Sequence, residues 1–463
     1  MANANAPFHP IIYVRGFAMT RNEIDETTLD PFNGFNLGST TLRASASNKE
    51  RPRKFVFESP VIRLASEFGY SDVYEDGLDI LDPGWEFDAS GKPTGNVLNS
   101  KSIVIYRYYD SASTVFGSGK TLSIEEAAVG LAAVVKEVRR LLLANPRSGI
   151  DKEEDFRCYL VAHSMGGLVC RAFLQNPTLD PGKLAKSVDK FFTYATPHNG
   201  IDMLGLNVPS WLSSMDISNF NRSGRMKDYL ALDQAYKNHD RVDLIPESSL
   251  ASSRIFTMVG TNRMDYEVAA GLSRAFVGNG SDGLVKIKNA TLNGLNKDGS
   301  IGAPCAKAFT YRAHSGPFGI VNSEEAFQNL SRFLFGDVRV DIWLDIEDVR
   351  LPPEVLKSAD GDEKKVDAIY QIELLASPRG KLWSLTRRMA EEDSVACMTQ
   401  AEWRNQPSHY LSSVFLANSA KVNPRRPSLS YSLILGVKIP DYEVDRRLRL
   451  NEHFEGVTCS ITH

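Results

Sequence analysis

The fold is decided by one stretch of sequence, residues 158–168, which reads CYLVAHSMGGL. Its first four residues are apolar, which is typical of a short strand buried on both faces of a parallel sheet. From Leu168 to Leu174 the spacing of apolar residues favours a helix, which Asn176-Pro177 would end. The residues between these two elements must form a sharp turn from strand to helix.

That turn, from Ala162 to Gly167, follows the pattern Gly-x-Ser-x-Gly, with Ala162 in place of the first glycine. In this arrangement the turn pushes the serine hydroxyl outward, and small neighbours are needed because strand and helix approach closely. We therefore interpret Ser164 as a nucleophile. The alternative is a glycine-bearing turn in which the serine has no chemical role.

Strand-like and helix-like segments alternate on both sides of this turn. Short apolar runs predict further strands at 11–14, 103–106, 191–194 and 255–259. A helix is predicted from Pro60, and Ser123 with Glu126 forms a capping box that opens another. The alternation predicts an α/β fold, with a mostly parallel sheet and helices on both faces.

The pattern changes after Gly336-Asp337. Apolar and polar residues alternate without intervening helices in the segments 338–346, 370–374 and 431–439. This is typical of antiparallel sheet, most simply a sandwich. We therefore predict two domains, an α/β domain over 1–337 and a C-terminal all-β, sandwich-like domain over 338–463. The arginine pairs at 387–388 and 425–426 are most simply solvated surface.

A serine hydroxyl needs a base, which is expected to be a histidine oriented by a carboxylate. His314 follows the strand-like segment 308–311 and precedes a loop, Ser315-Gly316-Pro317. His198 also follows a strand, but no strand-end acid lies between it and Ser164. We predict His314 as the base, with an ordinary surface-loop histidine as the alternative.

The acid is expected between Ser164 and His314 in the chain, because the triad order in this fold is Ser, acid, His. Asp282 lies in a glycine-rich segment, GNGSDGLV at 278–285, and is the preferred acid. An ordinary Asp-Gly turn is its alternative reading. Asp265, nearer the end of a predicted strand, is second, and Asp202 is less favoured.

A tetrahedral intermediate also needs donors for its oxyanion. One is expected from the backbone N–H after the nucleophile, which is that of Met165. The other should come from an early strand-end loop, where Phe17 follows Arg15-Gly16. These two assignments depend on position alone.

These pieces together resemble the bacterial lipase and esterase branch of the α/β-hydrolases and, more distantly, the inositol-deacylase-like members. The matching segments come in the family order, at 11–17, 162–167, 196–200, 281–285 and His314. The resemblance implies a Ser–Asp–His triad that hydrolyses carboxylic esters. Arg15 stands where the family usually has His, and Ala162 and Ala195 stand where it often has Gly. Residues from 338 onward lie outside the resemblance.

Related hydrolases carry a cap or lid where this chain has residues 201–250. Apolar side chains occur there among polar ones, and we predict that Leu206, Trp211 and Met215 line an acyl pocket. A cap packed permanently on the sheet, without gating, is the alternative. A lipophilic ester is the favoured substrate, because Met and Leu adapt to varied acyl chains.

The sequence therefore predicts an esterase or lipase of lipid metabolism that works through an acyl-enzyme, with no cofactor. The resemblance leaves a calcium ion open, but no loop of clustered carboxylates calls for one, so no metal ligand is predicted. An amidase, thioesterase or phospholipase on the same triad is the alternative, since one fold hosts many substrates. A non-enzymatic scaffold is less favoured, and would gain support if His314 or Asp282 lay far from Ser164.

Composition is that of an ordinary globular protein, with 463 residues, 42% hydrophobic and 24% charged. A net charge of −4 with no long basic run predicts no nucleic-acid partner, and the oligomeric state stays open. The five cysteines form no close pair, which favours reduced thiols. The N-terminus lacks the features of a signal peptide and no stretch reaches the about 20 apolar residues of a membrane helix, so a cytoplasmic location is expected.

Overall fold

The structure of the protein is a computed structural model that describes most of the chain. The described residues are 8–16, 40–43, 53–56, 60–73, 78–106, 108, 122–201, 220–221, 224–232, 239–265, 280–315, 319–421, 423–445 and 451–462.

Seven strands form one sheet in which every neighbouring pair is parallel. In chain order they are β1 (Ile11–Val14), β2 (Ser71–Asp72), β3 (Ser102–Tyr106), β4 (Cys158–His163), β5 (Val188–Tyr194), β6 (Ile255–Gly260) and β7 (Ala306–Thr310). Their order across the sheet is β7-β6-β5-β4-β1-β3-β2. The strands predicted from the sequence are confirmed. Each predicted segment lies within one of them, except that 308–311 extends one residue past the end of β7.

Helices cover both faces of this sheet. They are α1 (Pro60–Phe68), α2 (Ile124–Ala144), α3 (Met165–Gln175) and α4 (Glu324–Phe335). Alternate residues of β1 enter two separate hydrophobic clusters, because successive side chains of a strand point to opposite faces. Ile12 and Val14 join the cluster that holds α2 and α3, whereas Ile11 and Tyr13 join the one that holds α1 and α4. The predicted α/β architecture is therefore confirmed.

The predicted capping box begins α2. The Ser123 hydroxyl accepts the N–H of Glu126 at 3.1 Å, and the Glu126 carboxylate accepts the N–H of Ser123 at 2.9 Å. Two orphan donors of the first turn are thereby satisfied, and the helix then runs to Ala144 before Asn145 ends it.

Smaller elements accompany this sheet. A three-stranded sheet, which the sequence patterns did not predict, joins Leu244–Pro246, Asn293–Leu295 and Ile301–Pro304. A hairpin-like pair joins Thr40–Arg43 to Arg53–Val56, and a short helix spans Arg225–Tyr229. Among the described residues, no helix combines the length and the apolar character needed to cross a membrane.

Beyond α4 the pairing is antiparallel, as the period-two pattern predicts. Val338–Asp345 pairs with Ser408–Leu416. A second sheet joins Val366–Pro378, Thr386–Arg388, Ala396–Thr399, Tyr431–Val444 and Glu452–Thr462. One hydrophobic cluster joins the two sheets, including Ile342 and Val414 from the first and Ile372 and Leu374 from the second. This is the sandwich-like arrangement, to which short helices at Pro353–Ser358 and Gln400–Asn405 are added. The domain boundary at residue 337 stays a prediction.

Strand β7 lies at the edge of the seven-stranded sheet, and side chains of the C-terminal region bind its backbone. The N–H of Lys307 donates to the Tyr410 hydroxyl at 3.3 Å, and that of Phe309 donates to the Thr386 hydroxyl at 3.2 Å. The Ser412 hydroxyl donates to the Lys307 carbonyl at 2.8 Å. Backbone groups that an edge strand would otherwise leave unpaired are thereby satisfied.

Candidate active site

Ser164 lies at the turn between β4, the central strand of the sheet, and α3. Its φ of 52° and ψ of −128° belong to a region that a residue with a side chain rarely adopts. The turn is held by the Ser164 N–H, which donates to the Tyr194 carbonyl at 2.9 Å, and by the Gly167 N–H, which donates to the Ser164 carbonyl at 3.0 Å. The predicted sharp turn is therefore present, and its strain is typical of a functional position.

Glycines let the turn pack against its neighbours. A Cβ atom at Gly166 would overlap the carbonyl oxygens of Val14 and Arg15, at the end of β1. A Cβ atom at Gly167 would overlap the side chain of Thr196. Ala162, in contrast, lies fully buried within β4, where its methyl group is accommodated in place of the glycine that the pattern expects.

Replacing Gly166 with Ala is expected to lower the free energy of unfolding by about 1–3 kcal/mol, the usual cost of overpacking. The added methyl group meets backbone atoms, which cannot rotate away as a flexible side chain could. The measurement is urea denaturation followed by circular dichroism. Gly182→Ala is the matched control, because a Cβ atom there makes only ordinary contacts with Leu184. Equal midpoints for the two variants would contradict the packing argument.

His314 lies in the loop after β7, and its ring joins two other side chains. Its Nε2 lies 2.8 Å from the Ser164 Oγ, and its Nδ1 lies 2.9 Å from the Asp282 Oδ2. An ionised carboxylate only accepts hydrogen bonds, so Nδ1 carries the proton and Nε2 is free to accept from the serine hydroxyl. The N–H of His314 also donates to the Asp282 carbonyl at 3.0 Å.

Asp282 is held by the backbone of its own turn. Its Oδ1 accepts the N–H of Leu284 at 3.0 Å and the N–H of Val285 at 2.7 Å. These bonds aim the second oxygen, Oδ2, at His314. Asp282 and His314 are only 1% and 3% exposed, so water has little access to the hydrogen bond between them.

The structure thus brings together Ser164, His314 and Asp282, the three residues preferred from the sequence. The sequence also offers two alternative candidates for the acid. Asp265 accepts instead from the Asn262 side-chain amide at 2.8 Å. Asp202 lies outside the described residues. A large distance from Ser164 to His314 or Asp282 would have favoured a non-enzymatic scaffold. Instead, His314 contacts Ser164 and Asp282 contacts His314.

His198 is part of the framework. It is buried with its Nε2 at 3.1 Å from the Thr193 hydroxyl, and its carbonyl accepts from Arg171 at 2.9 Å. Burial holds the pKa of His198 well below the ordinary range, with a smaller effect from the Arg171 charge. Nearby Ala195 has a φ of 46°, a backbone conformation that glycine adopts more readily than alanine.

The sequence patterns missed a contribution from His163, the residue before the nucleophile. Its Nε2 lies 2.9 Å from the His314 carbonyl, and the two rings lie 5.0 Å apart. Burial, followed by the charges of His314 and Arg15, holds the pKa of His163 well below its usual range. The neutral ring therefore donates from Nε2 and fixes the backbone of His314. No sequence signal marks this contact, because its acceptor is a backbone atom.

Of the two predicted oxyanion donors, Met165 belongs to the described residues and Phe17 does not. Met165 is the first residue of α3 and follows Ser164 directly, so its N–H has no partner one turn earlier in the helix. Phe17 lies outside the described residues, but the preceding Gly16 packs so closely on Ser164 that a Cβ atom there would overlap the serine Cβ. The Arg15 carbonyl accepts from the Tyr108 hydroxyl at 2.7 Å. Gly16, two residues after the end of β1, is thus next to the nucleophile.

The predicted acyl-pocket residues Leu206, Trp211 and Met215 also lie outside the described residues, as does most of the segment 201–250. No group of three His, Cys, Asp or Glu side chains that could hold a metal ion occurs in the described ranges.

A parallel sheet covered by helices on both faces, with a serine at a strand-to-helix turn and a histidine after the last strand, is the α/β-hydrolase fold. The position of Ser164 agrees with this fold in a further respect. It follows β4, and β3 and β4 flank β1 on opposite sides, so the strand order reverses there. Ligands of open α/β sheets bind in the crevice at such a reversal, outside the carboxyl ends of the strands.

No protein-family model and no curated protein sequence matches the chain. Among solved structures, the mature form of Bacillus licheniformis lipase BlEst2 is similar at 15% identity over 72% of this chain and 94% of that chain, with a TM-score of 0.34. Phospholipase PlaB from Legionella pneumophila is similar at 13% identity over 98% of this chain and 91% of that chain, with a TM-score of 0.36. Aspergillus fumigatus lipase B matches at 12% identity over 64% of this chain and 47% of that chain, with a TM-score of 0.28.

Proposed function

We propose that the protein is a serine hydrolase that cleaves carboxylic esters, with Ser164, His314 and Asp282 as its catalytic triad. One observation carries this proposal, the continuous chain of hydrogen bonds from the Ser164 Oγ through both ring nitrogens of His314 to the Asp282 carboxylate. A serine, a histidine and an aspartate in this order and geometry activate the hydroxyl for attack on an acyl carbon.

In the first half of the reaction, the Ser164 Oγ attacks the acyl carbon while its proton passes to the His314 Nε2. The negative charge that develops on the former carbonyl oxygen is stabilised by the N–H of Met165, with the N–H of Phe17 as the second proposed donor. His314 then gives its proton to the leaving alcohol as the bond between acyl carbon and alcohol oxygen breaks. The acyl group stays on Ser164.

In the second half, water attacks the acyl-enzyme and the same groups act in reverse. His314 takes a proton from the water, the oxyanion donors again stabilise the tetrahedral intermediate, and the proton returns to Ser164 as the acid leaves. Asp282 holds the ring orientation throughout and stabilises the imidazolium in each half. Since Asp282 is anchored by two backbone N–H groups, this orientation is set before substrate arrives.

The proposed substrate is a lipophilic ester, such as a lipid, whose acyl chain contacts Leu206, Trp211 and Met215. This part of the proposal is supported by the apolar residues of the segment 201–250. Met and Leu side chains suit acyl chains of varied shape.

The first experiment is hydrolysis of p-nitrophenyl esters from acetate to palmitate, with a p-nitroanilide and phosphatidylcholine as further substrates. We expect ester turnover that rises beyond acetate, because a longer chain fills an apolar pocket, and that disappears in Ser164→Ala. Ser90→Ala is the matched control, since this exposed serine bonds only within its own turn. A folded protein that cleaves the anilide but none of the esters would replace this proposal with an amidase. Release of fatty acid from phosphatidylcholine alone would narrow the proposal to a phospholipase, since the acyl bonds of that lipid are also carboxylic esters.

A further inference from the structure

A second candidate site lies between α4 and the C-terminal sheets. A cavity of about 240 Å³ opens there, and its apolar lining residues include Leu416 and Leu429. Four cationic side chains line it, those of Arg332, Arg379, Lys421 and Arg426. The hydroxyls of Ser428 and Ser430 and the amide of Asn423 complete its polar surface, and no carboxylate is among its described lining residues.

Arg332 is the buried member of this group. It is 9% exposed, and burial lowers its pKa to about 10, against weaker opposing effects of Glu324 and Glu67. Its Nη1 donates to the Gln328 carbonyl at 3.3 Å and to the Gln328 side-chain oxygen, and one face of its guanidinium lies over the Trp383 ring. Arg332 also lines the cavity. A buried guanidinium without a carboxylate partner favours an anion within reach.

The other three cations of the cavity are not paired with a carboxylate among the residues that the structure describes. Within the described part of the chain, none of Arg379, Lys421 and Arg426 forms an ion pair at 4.0 Å or less. The loop that carries two of them is shaped by its own contacts: Lys421 donates to the Pro427 carbonyl at 2.9 Å, and the Arg426 N–H donates to the Asn423 carbonyl at 3.1 Å. Arg379 and Arg426 are exposed and line the cavity.

This cavity is separate from the triad. His314 follows the carboxyl end of β7, and α4 then runs back along the sheet, so its last turn lies near the amino-terminal edge of the strands. Twelve helical residues correspond to about 18 Å of this return. Ser164 lies at the opposite, carboxyl edge, so a ligand in the cavity cannot be the ester group under attack.

We propose that this cavity binds a phosphate group. Arginine forks match phosphate oxygens in pairs, and hydroxyl and amide groups supply further hydrogen bonds. Three cations without an ion pair among the described residues, together with Arg332, suit an anion that carries two negative charges better than a single carboxylate. An adjoining cavity of about 370 Å³ shares Arg332 but includes Glu67, whose negative charge disfavours an anion there. The phosphate could be carried by a soluble molecule or by the headgroup of an anionic lipid, and both present the same chemistry.

The test uses the full-length protein and two measurements. Isothermal titration calorimetry at low ionic strength measures the Kd for inorganic phosphate, and vesicle sedimentation compares phosphatidylcholine with mixtures containing an ether-linked phosphatidic acid, which has no carboxylic ester to cleave. The variant Arg379→Ala/Arg426→Ala removes two exposed cations from the cavity. The matched control, Arg147→Ala/Lys297→Ala, removes the same charge from exposed positions outside it.

We expect phosphate binding that is at least tenfold weaker in the cavity variant and unchanged in the control. Binding of free phosphate would indicate a soluble ligand, and binding of phosphatidic acid vesicles alone, with the same loss in the cavity variant, would indicate a lipid headgroup. The proposal is overturned if neither probe binds, if the cavity variant binds as tightly as the wild-type protein, or if both variants lose binding equally. Ester hydrolysis plays no part in these readouts, so they are independent of the proposed function.

Discussion

Ser164→Ala and His314→Ala are each expected to lower kcat for ester hydrolysis by about 10⁶-fold, and the double variant is expected to lose no more than either single one. The reason lies in the hydrogen bond between the two side chains. The hydroxyl is a poor nucleophile without its base, and the base has no proton to move without the hydroxyl. Residues that work as one unit lose their joint contribution when either is removed.

The measurement is single-turnover and steady-state kinetics with a p-nitrophenyl ester, on variants whose thermal unfolding shows that they are folded. Ser164→Ala replaces a hydroxyl group by a hydrogen atom and needs no more space than the native residue. The variant is therefore expected to fold. If the fold-loss of kcat in the double variant equalled the product of the two single losses, the two residues would act independently. Such a result would contradict the triad even if both single variants were slow.

Asp282→Asn is expected to lower kcat by about 10⁴-fold while the fold is kept, as loss of the orienting acid does in a triad. An asparagine oxygen can still accept from the N–H groups of Leu284 and Val285. Its NH₂ group then faces the His314 Nδ1, which must become an acceptor. The ring proton moves to Nε2, the nitrogen that has to accept the proton of Ser164.

Asp265→Asn is the matched comparison, because this carboxylate lies on the neighbouring loop and contacts Asn262. That variant is expected to keep most of its activity. A large loss in Asp265→Asn together with a small loss in Asp282→Asn would show that the acid is assigned to the wrong residue.

Much of the geometry of this candidate site could be predicted because its residues lie next to strand, helix and loop patterns that are visible in the local sequence. Ser164 is flanked by a strand pattern on one side and a helix pattern on the other, and His314 and Asp282 lie in loops after strands. Such patterns depend only on neighbours in the chain, so they can be recognised without knowledge of the tertiary structure. The same holds for the main strands and for the capping box of α2.

What could not be predicted depends on contacts between distant parts of the chain. The support that His163 gives to His314 passes through a carbonyl oxygen, which every residue has. Arg388, which the sequence suggests is solvated, donates to the Ser394 carbonyl at 2.6 Å and stacks on the Phe309 ring at 4.4 Å. The cationic cavity gathers side chains from separate elements, and no spacing in the sequence indicates that they meet. The roles of Phe17, Leu206, Trp211 and Met215 stay predictions.

The covered edge of β7 has a consequence for how the chain is made. The hydroxyls that bind its backbone come from Thr386, 77 residues after Phe309, and from Tyr410 and Ser412, 103 and 105 residues after Lys307. At about 5–20 residues per second, a ribosome needs several seconds or more to supply them after β7 has emerged. During that interval the strand that leads to His314 has an open edge on a nascent chain. Synthesis rate and chaperone supply are therefore expected to govern the yield of active protein as strongly as the stability of the finished fold.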